Sequence, residues 1–185
     1  MITVSSQHIW QGFHWSFFVN IQGLLICLQR FEVHIAQGQL APAQTELDTA
    51  AALLLASGAA MELAGSFSRA DYEQQVRPSM MPPAVQSDDF SGLMSWEHTA
   101  LMQVWKRLRR IFQTLPAALQ PQHERFVQAY LSLARAHRAV CEKFGGAEGG
   151  SLRFARTSAV ETLDKFRQNR CAWIDPARTV RHQEL

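Results

Sequence analysis

The sequence predicts an all-α protein, a helical bundle in a single domain over 1–185, with a core at about 8–167 and a C-terminal tail at 168–185. Apolar residues recur at spacings of three and four in almost every long segment, which is the period of an amphipathic helix. No segment shows the sustained alternation that is typical of a strand. At 185 residues and 47% hydrophobic content, the chain is long enough for one substantial core and short for two.

The first third of the chain predicts two long helices. The first extends over 8–37 and ends before Gly38, a residue that commonly follows a helix. Its apolar stripe consists of His14, Phe18, Ile21, Leu25 and Leu28. Pro42 is placed to open the second helix, over 43–65, whose many small residues permit close packing. Ser68 then caps a short turn.

The segment 77–92 contains three prolines and no periodicity, so we expect a long ordered loop or a lid. Ser95 caps the next helix, which extends to Phe112. Pro121 opens a further helix that Gly145 ends. The remaining predicted elements are a helix from Leu152 to Arg167 and a tail from Asn169. The tail is polar except for Cys171, Trp173 and Ile174, which are candidates to pack on the body of the protein or on another subunit.

Composition narrows the class of protein. A net charge of +2 is too small to indicate a nucleic acid partner, and the low charged content of 18% favours contacts between copies in a homo-oligomer. Polar residues interrupt the apolar stretch Phe13–Leu28, which predicts a buried helix and no membrane span. The first 29 residues lack Lys and Arg, unlike a secretory signal. Three cysteines far apart in the chain favour a reducing, cytoplasmic location.

Three histidines, His14, His98 and His137, lie in phase with apolar stripes of three different helices. Any one of them alone is usually a core residue hydrogen-bonded to a carbonyl or carboxylate, and that interpretation stays open. Three together favour a ligand, because neutral imidazole commonly binds metals and heme iron. No inward Glu-x-x-His pair, His-x-x-x-His or Cys-x-x-Cys motif supports a di-iron or zinc centre. A single inward imidazole at His137 suits one axial position of a heme.

Three separated segments carry a resemblance to a known family. They read GFHWSFFVNIQGLLICLQRFE, SFSRADYEQQVRPSMMPP and ARAHRAVCEKFGGAEGGSLRFAR. As an ordered set they resemble the tryptophan 2,3-dioxygenase and indoleamine 2,3-dioxygenase superfamily of histidine-ligated heme proteins. The glycine-rich loop lacks that family's threonine, and the chain between Tyr72 and His137 is shorter than in tryptophan dioxygenases. The resemblance therefore indicates the wider group of heme-dependent aromatic oxygenases, with a bundle like the heme-binding core of tryptophan 2,3-dioxygenase.

The resemblance implies a role for each matching residue. His137 would bind the iron of heme b, and His14 would be the catalytic histidine on the opposite face of the heme. Tyr72 and Arg77 would bind an aromatic amino acid or indole substrate, with the guanidinium paired to its carboxylate. Ser151, in the glycine-rich loop, would also contact the substrate. Dioxygen would be the second substrate.

The predicted function is thus a heme-dependent oxidoreductase, a dioxygenase or monooxygenase, acting on an aromatic substrate. Two other functions stay open at this point. One is a heme-binding or sensor protein without catalysis, which the altered glycine loop favours. The other is a helical interaction domain with no cofactor, in which the three inward histidines are bonded to protein groups.

Overall fold

The computed structural model of the chain describes residues 4–85, 95–145 and 159–177, and its regular structure is entirely helical in these ranges. The α-helices are α1 (Ser6–Ala36), α2 (Leu40–Ala64), α3 (Arg69–Asp71), α4 (Trp96–Gln113), α5 (Gln120–Gly145) and α6 (Ala159–Ile174). Helix α3 continues into a π-helical turn, Tyr72–Val76, and a 3-10 turn, Arg77–Met80. The predicted all-α class is confirmed.

Helices α1 and α2 follow the predicted pattern closely. The hydroxyl of Ser5 accepts a hydrogen bond from the backbone N–H of His8 at 3.3 Å, which caps the start of α1. Gly38 follows the helix with a φ of 70°, a left-handed conformation that glycine adopts without strain. Pro42 lies in the first turn of α2, where its missing N–H costs no helical hydrogen bond.

Helix α2 is the central helix of the bundle and packs against both α1 and α5. Two glycines bring α2 and α5 close together. A Cβ on Gly58 would lie 3.6 Å from Leu133 Cα, and one on Gly65 would lie 3.0 Å from Val140 Cγ2. By length and composition α2 is apolar enough to cross a membrane, with 44% of its most apolar window buried in the protein. Its position between two helices accounts for the same composition.

The buried apolar residues form two clusters. The larger, called here the main core, joins α1, α2, α4, α5 and α6, and its fully buried members include Leu28, Phe31, Leu108 and Phe126. The smaller, called here the end cluster, joins the start of α1 to the ends of α2 and α5 and to the π-helical turn. Its buried members are Phe13, Met61, Ala64, Phe67, Tyr72, Val76, Val140 and Phe144.

The C-terminal region differs from the prediction in one respect. The polar tail was expected to begin at Asn169, but α6 continues to Ile174. Ile174 is fully buried in the main core, and His123 Nε2 donates a hydrogen bond to its carbonyl oxygen. Residues 159–175 contain no glycine or proline, so nothing in the sequence ends α6 before Ile174 reaches the main core. The predicted start of this helix at Leu152, and the second half of the predicted 77–92 lid, lie outside the described residues.

Candidate functional site

One face of α5 carries Tyr130, His137, Cys141 and Phe144 at helical spacing, so these side chains lie in a row. With a rise of about 1.5 Å per residue, the row is about 21 Å long. Each end of the row is aromatic. The Tyr130 ring packs edge-on against Trp105 of α4 with centroids 5.3 Å apart, and Phe144 belongs to the end cluster. His137 and Cys141 lie between the two aromatic ends.

His137 is partly buried and uncharged at neutral pH. Burial, with a contribution from the positive charge of Arg170, lowers the pKa of His137 to about 4. A neutral imidazole keeps a lone pair on one ring nitrogen, which is what a metal ligand requires. The structure therefore places a ligand-competent imidazole in the middle of the α5 row.

Tyr72 covers the Phe144 end of the row. Its ring stacks on that of Phe144 with centroids 4.5 Å apart and planes 8° apart. Burial raises the pKa of Tyr72, while the charge of nearby Arg77 lowers it and Cys141 raises it. Burial, with a contribution from Glu142, raises the pKa of Cys141 to about 11, so both groups are neutral at pH 7. This end of the site is apolar, with a phenol and a thiol at its edge.

His14 lies beside the end cluster on α1. Its Nδ1–H donates a hydrogen bond to the carbonyl oxygen of Trp10 at 2.8 Å, which makes Nε2 the unprotonated nitrogen. Burial lowers the pKa of His14 more than this bond raises it. The Trp10 ring contacts both His14, at 4.9 Å between centroids, and Tyr72, at 5.9 Å. The structure thus connects two of the predicted site residues through one indole.

The structure gives less information on the other two predicted substrate contacts, Arg77 and Ser151. Arg77 is exposed in the 3-10 turn after Tyr72, near enough for its charge to act on the Tyr72 hydroxyl. The prediction for Ser151 lies outside the described residues.

The sequence analysis gave no site role to two residues that the structure brings to this region, His98 and Arg170. The Arg170 Nη2 donates a hydrogen bond to His98 Nε2 at 2.8 Å, and the guanidinium lies near enough to Tyr130 for its charge to lower the pKa of that phenol. The Ser95 hydroxyl accepts from the His98 backbone N–H at 3.2 Å and so fixes the start of α4. His98 had a signal, its position on an apolar stripe; Arg170 had none, because it falls in the segment predicted as a tail.

The donor set distinguishes among kinds of metal centre. Within residues 4–85, 95–145 and 159–177, no three His, Cys, Asp or Glu side chains converge to hold a metal ion. A metal bound at His137 therefore takes its other ligands from elsewhere, and a porphyrin supplies four nitrogens of its own. The neutral imidazole of His137 is the kind of single protein ligand that a heme iron would accept.

Two cavities lie beside α5 but away from the row. One, of about 440 Å³, opens between α5 and α6 and is lined in part by Arg138, Asp164 and Arg167. The other, of about 390 Å³, lies between α2 and α5 and is lined in part by Glu62 and Lys143. No residue predicted as a site residue lines either of these two cavities.

Comparison with known proteins gives a match over most of the chain. A family model described as SfmD 3-methyl-L-tyrosine peroxygenase matches residues 4–124, which include His14, Tyr72 and Arg77. The 3-methyl-L-tyrosine peroxygenase of Streptomyces lavendulae is 30% identical over 164 residues, covering 87% of this chain and 45% of that relative. The chain thus spans less than half the length of this relative. No solved structure matches the chain.

Proposed function

This chain belongs to the SfmD 3-methyl-L-tyrosine peroxygenase family, and we propose that it is a heme-dependent oxygenase that hydroxylates an aromatic amino acid. The observation that carries the proposal is the neutral imidazole of His137 in the centre of the α5 row. The description of the family favours a peroxide as oxidant, in place of the dioxygen expected from the sequence. Kinship with the tryptophan dioxygenase superfamily, and heme b as the form of heme, remain predictions.

In this proposal His137 holds the heme iron through one ring nitrogen. When bound, the heme supplies the transfer of one oxygen atom from a peroxide to an aromatic ring, with release of water. The protein contributes by keeping His137 neutral, since a protonated imidazole has no lone pair to donate. It also surrounds the reacting region with the buried rings of Tyr72 and Phe144, which limit the access of water.

Substrate orientation falls to the residues around the end cluster. Tyr72 offers a neutral hydroxyl for hydrogen bonding beside a stacked aromatic surface, suited to a phenol or an indole. Arg77 would pair with the substrate carboxylate, a contact that guanidinium geometry favours. His14, whose Nδ1–H is held by Trp10, would accept a proton or hydrogen bond at Nε2. Ser151 stays a proposed substrate contact.

A heme-binding protein without catalysis is the second candidate. The exposure of Arg77 favours it, because a carboxylate pair in open solvent is weak.

An absorption titration with hemin tests the proposal. Wild-type protein should develop a Soret band of stoichiometric intensity, and His137→Ala should lose the spectrum of a histidine-ligated heme. His8→Ala, at an exposed position near the start of α1, is the matched control and should bind hemin as wild type does. A wild-type protein that does not bind hemin would contradict the proposal.

The loaded protein is then given 3-methyl-L-tyrosine, L-tyrosine or L-tryptophan with hydrogen peroxide, or with a reductant and dioxygen. A product heavier by one oxygen atom, formed with peroxide and detected by mass spectrometry, would support the peroxygenase assignment. Heme binding without product under either condition would leave the second candidate.

A further inference from the structure

Arg170 is a partly buried cation at the Tyr130 end of the α5 row. Its guanidinium donates to His98 Nε2 at 2.8 Å and lies over the Phe166 ring, 5.3 Å from the centroid, and its charge acts on the Tyr130 hydroxyl. Its charge also acts on His137. The chain therefore directs this arginine from α6 toward the same row of side chains that carries the candidate ligand.

The described groups that Arg170 contacts most closely are an imidazole and an aromatic ring. The guanidinium has donors only, so His98 Nε2 is the acceptor in the bond between them. Burial raises the pKa of Tyr130 to about 12, and His137 is neutral because its pKa is near 4. In the described part of the chain no carboxylate lies within 4.0 Å of Arg170, although the neighbouring Arg167 pairs with Asp164 at 3.8 Å.

The surroundings of Arg170 favour the binding of an anion. Removing a charge from water without a counter-charge is costly, and a ligand carboxylate would offset that cost through two parallel N–H···O bonds. The hydrogen bond to His98 uses one of the five N–H donors of the guanidinium, and together with the contact to the Phe166 ring it orients the group.

We propose that Arg170 binds a carboxylate of the ligand that lies on the α5 row. The inference rests on the proposed function for the identity of that ligand. Two sources share this chemistry: a propionate of the porphyrin and the carboxylate of an aromatic amino acid. Arg77 lies at the opposite, Tyr72 end of the row, so the two arginines are available for two different carboxylates.

Paired ligands with and without the carboxylate test the proposal. Hemin is compared with hemin dimethyl ester by absorption titration, and 4-hydroxyphenylacetate is compared with 4-methylphenol by calorimetry on heme-free protein. The variants are Arg170→Gln, Arg170→Lys, which keeps the charge but loses the fork, and the exposed control Arg109→Gln on α4. Circular dichroism melts establish that each variant is folded.

Loss of a charged, bidentate contact should weaken binding by about ten- to a hundredfold. If the propionate is the partner, Arg170→Gln loses this factor for hemin and keeps the wild-type affinity for the ester. If the substrate is the partner, the loss appears with 4-hydroxyphenylacetate and is absent with 4-methylphenol. Arg170→Lys should lose less in either case, and Arg109→Gln should bind every ligand as wild type does.

The two proposals fail in different ways. Equal binding of both acids by wild type and Arg170→Gln would overturn the role of Arg170 while leaving the heme assignment intact. Failure of wild type to bind either acid would also overturn it. Wild-type protein that ignores hemin but binds 4-hydroxyphenylacetate through Arg170 would refute the heme assignment and support the anion site.

Discussion

Lowering the pH should destabilise the heme-free protein through His137 in particular. Burial lowers the pKa of this residue to about 4 in the folded state, whereas a histidine in an unfolded chain has a pKa of about 6.5. As the pH falls from 6.5 toward 4, the unfolded state binds a proton that the folded state does not, so the free energy of unfolding decreases. Below pH 4 both states are protonated and this contribution stays constant.

The size of the effect follows from the two pKa values. The linkage relation gives a loss of about 2 kcal/mol at pH 5 and about 3 kcal/mol at pH 4, relative to pH 8. His137→Gln replaces the imidazole with a neutral group that does not titrate, so the variant should lack this part of the pH dependence. The other histidines contribute equally to both proteins and cancel in the difference.

Urea unfolding, followed by tryptophan fluorescence at pH 8, 6, 5 and 4, measures the difference directly. The wild-type free energy of unfolding should fall more steeply between pH 6.5 and 4 than that of His137→Gln. Parallel pH profiles would show that His137 titrates normally. The imidazole would then be solvated, and the claim that it is held neutral as a ligand would be wrong.

Three further predictions concern the stability of the fold. Phe126→Ala, which empties a fully buried position in the main core, should cost about 3–5 kcal/mol in a thermal melt, whereas the exposed Val19→Ala should change stability by no more than about 0.5 kcal/mol; equal effects would contradict the described core. Gly38→Ala should cost about 1–2 kcal/mol through its φ of 70° alone, because no atom lies within 4 Å of the added Cβ; an unchanged melting temperature would exclude the left-handed cap. Arg30→Gln removes the partner of the buried Glu46 carboxylate, 2.9 Å away, and should lower the melting temperature. Adding Glu46→Gln should restore part of the lost melting temperature, because no unpaired charge is then buried. Additive losses in the double variant would contradict an ion pair between Arg30 and Glu46.

The helical order was accessible from sequence because local signals specify it. The caps at Ser68 and Ser95, the left-handed Gly38 and the three-four periodicity each act within a few residues. The extent of α6 was not accessible, because Ile174 extends the helix through contacts with distant parts of the chain. Cys171, Trp173 and Ile174 are recognisable as apolar residues that pack on the main core, but three residues so close together give too little periodicity to predict a helix.

The site was predicted only in part, for a similar reason. The partly buried position of His137 could be predicted because its stripe lies on one helix and follows from spacing alone; its role as a ligand stays a prediction. The bond between Arg170 and His98 joins α6 to α4, and sequence patterns carry no information on which side chains of two helices meet. The same applies to the stack of Tyr72 on Phe144, which depends on how the π-helical turn approaches α5.

The two glycines of α2 have a consequence for how this protein tolerates change. They face Leu133 and Val140, the residues that bracket His137 on α5, and the 3.0 Å approach at Gly65 leaves no room for a methyl group unless Val140 moves. The spacing between α2 and α5 is therefore fixed at two points, one on each side of His137 along α5, by positions that supply none of the candidate reactive groups. A mutational survey confined to the candidate reactive side chains would overlook these positions. Any redesign of the α5 row has to keep small residues at Gly58 and Gly65, or let α5 move.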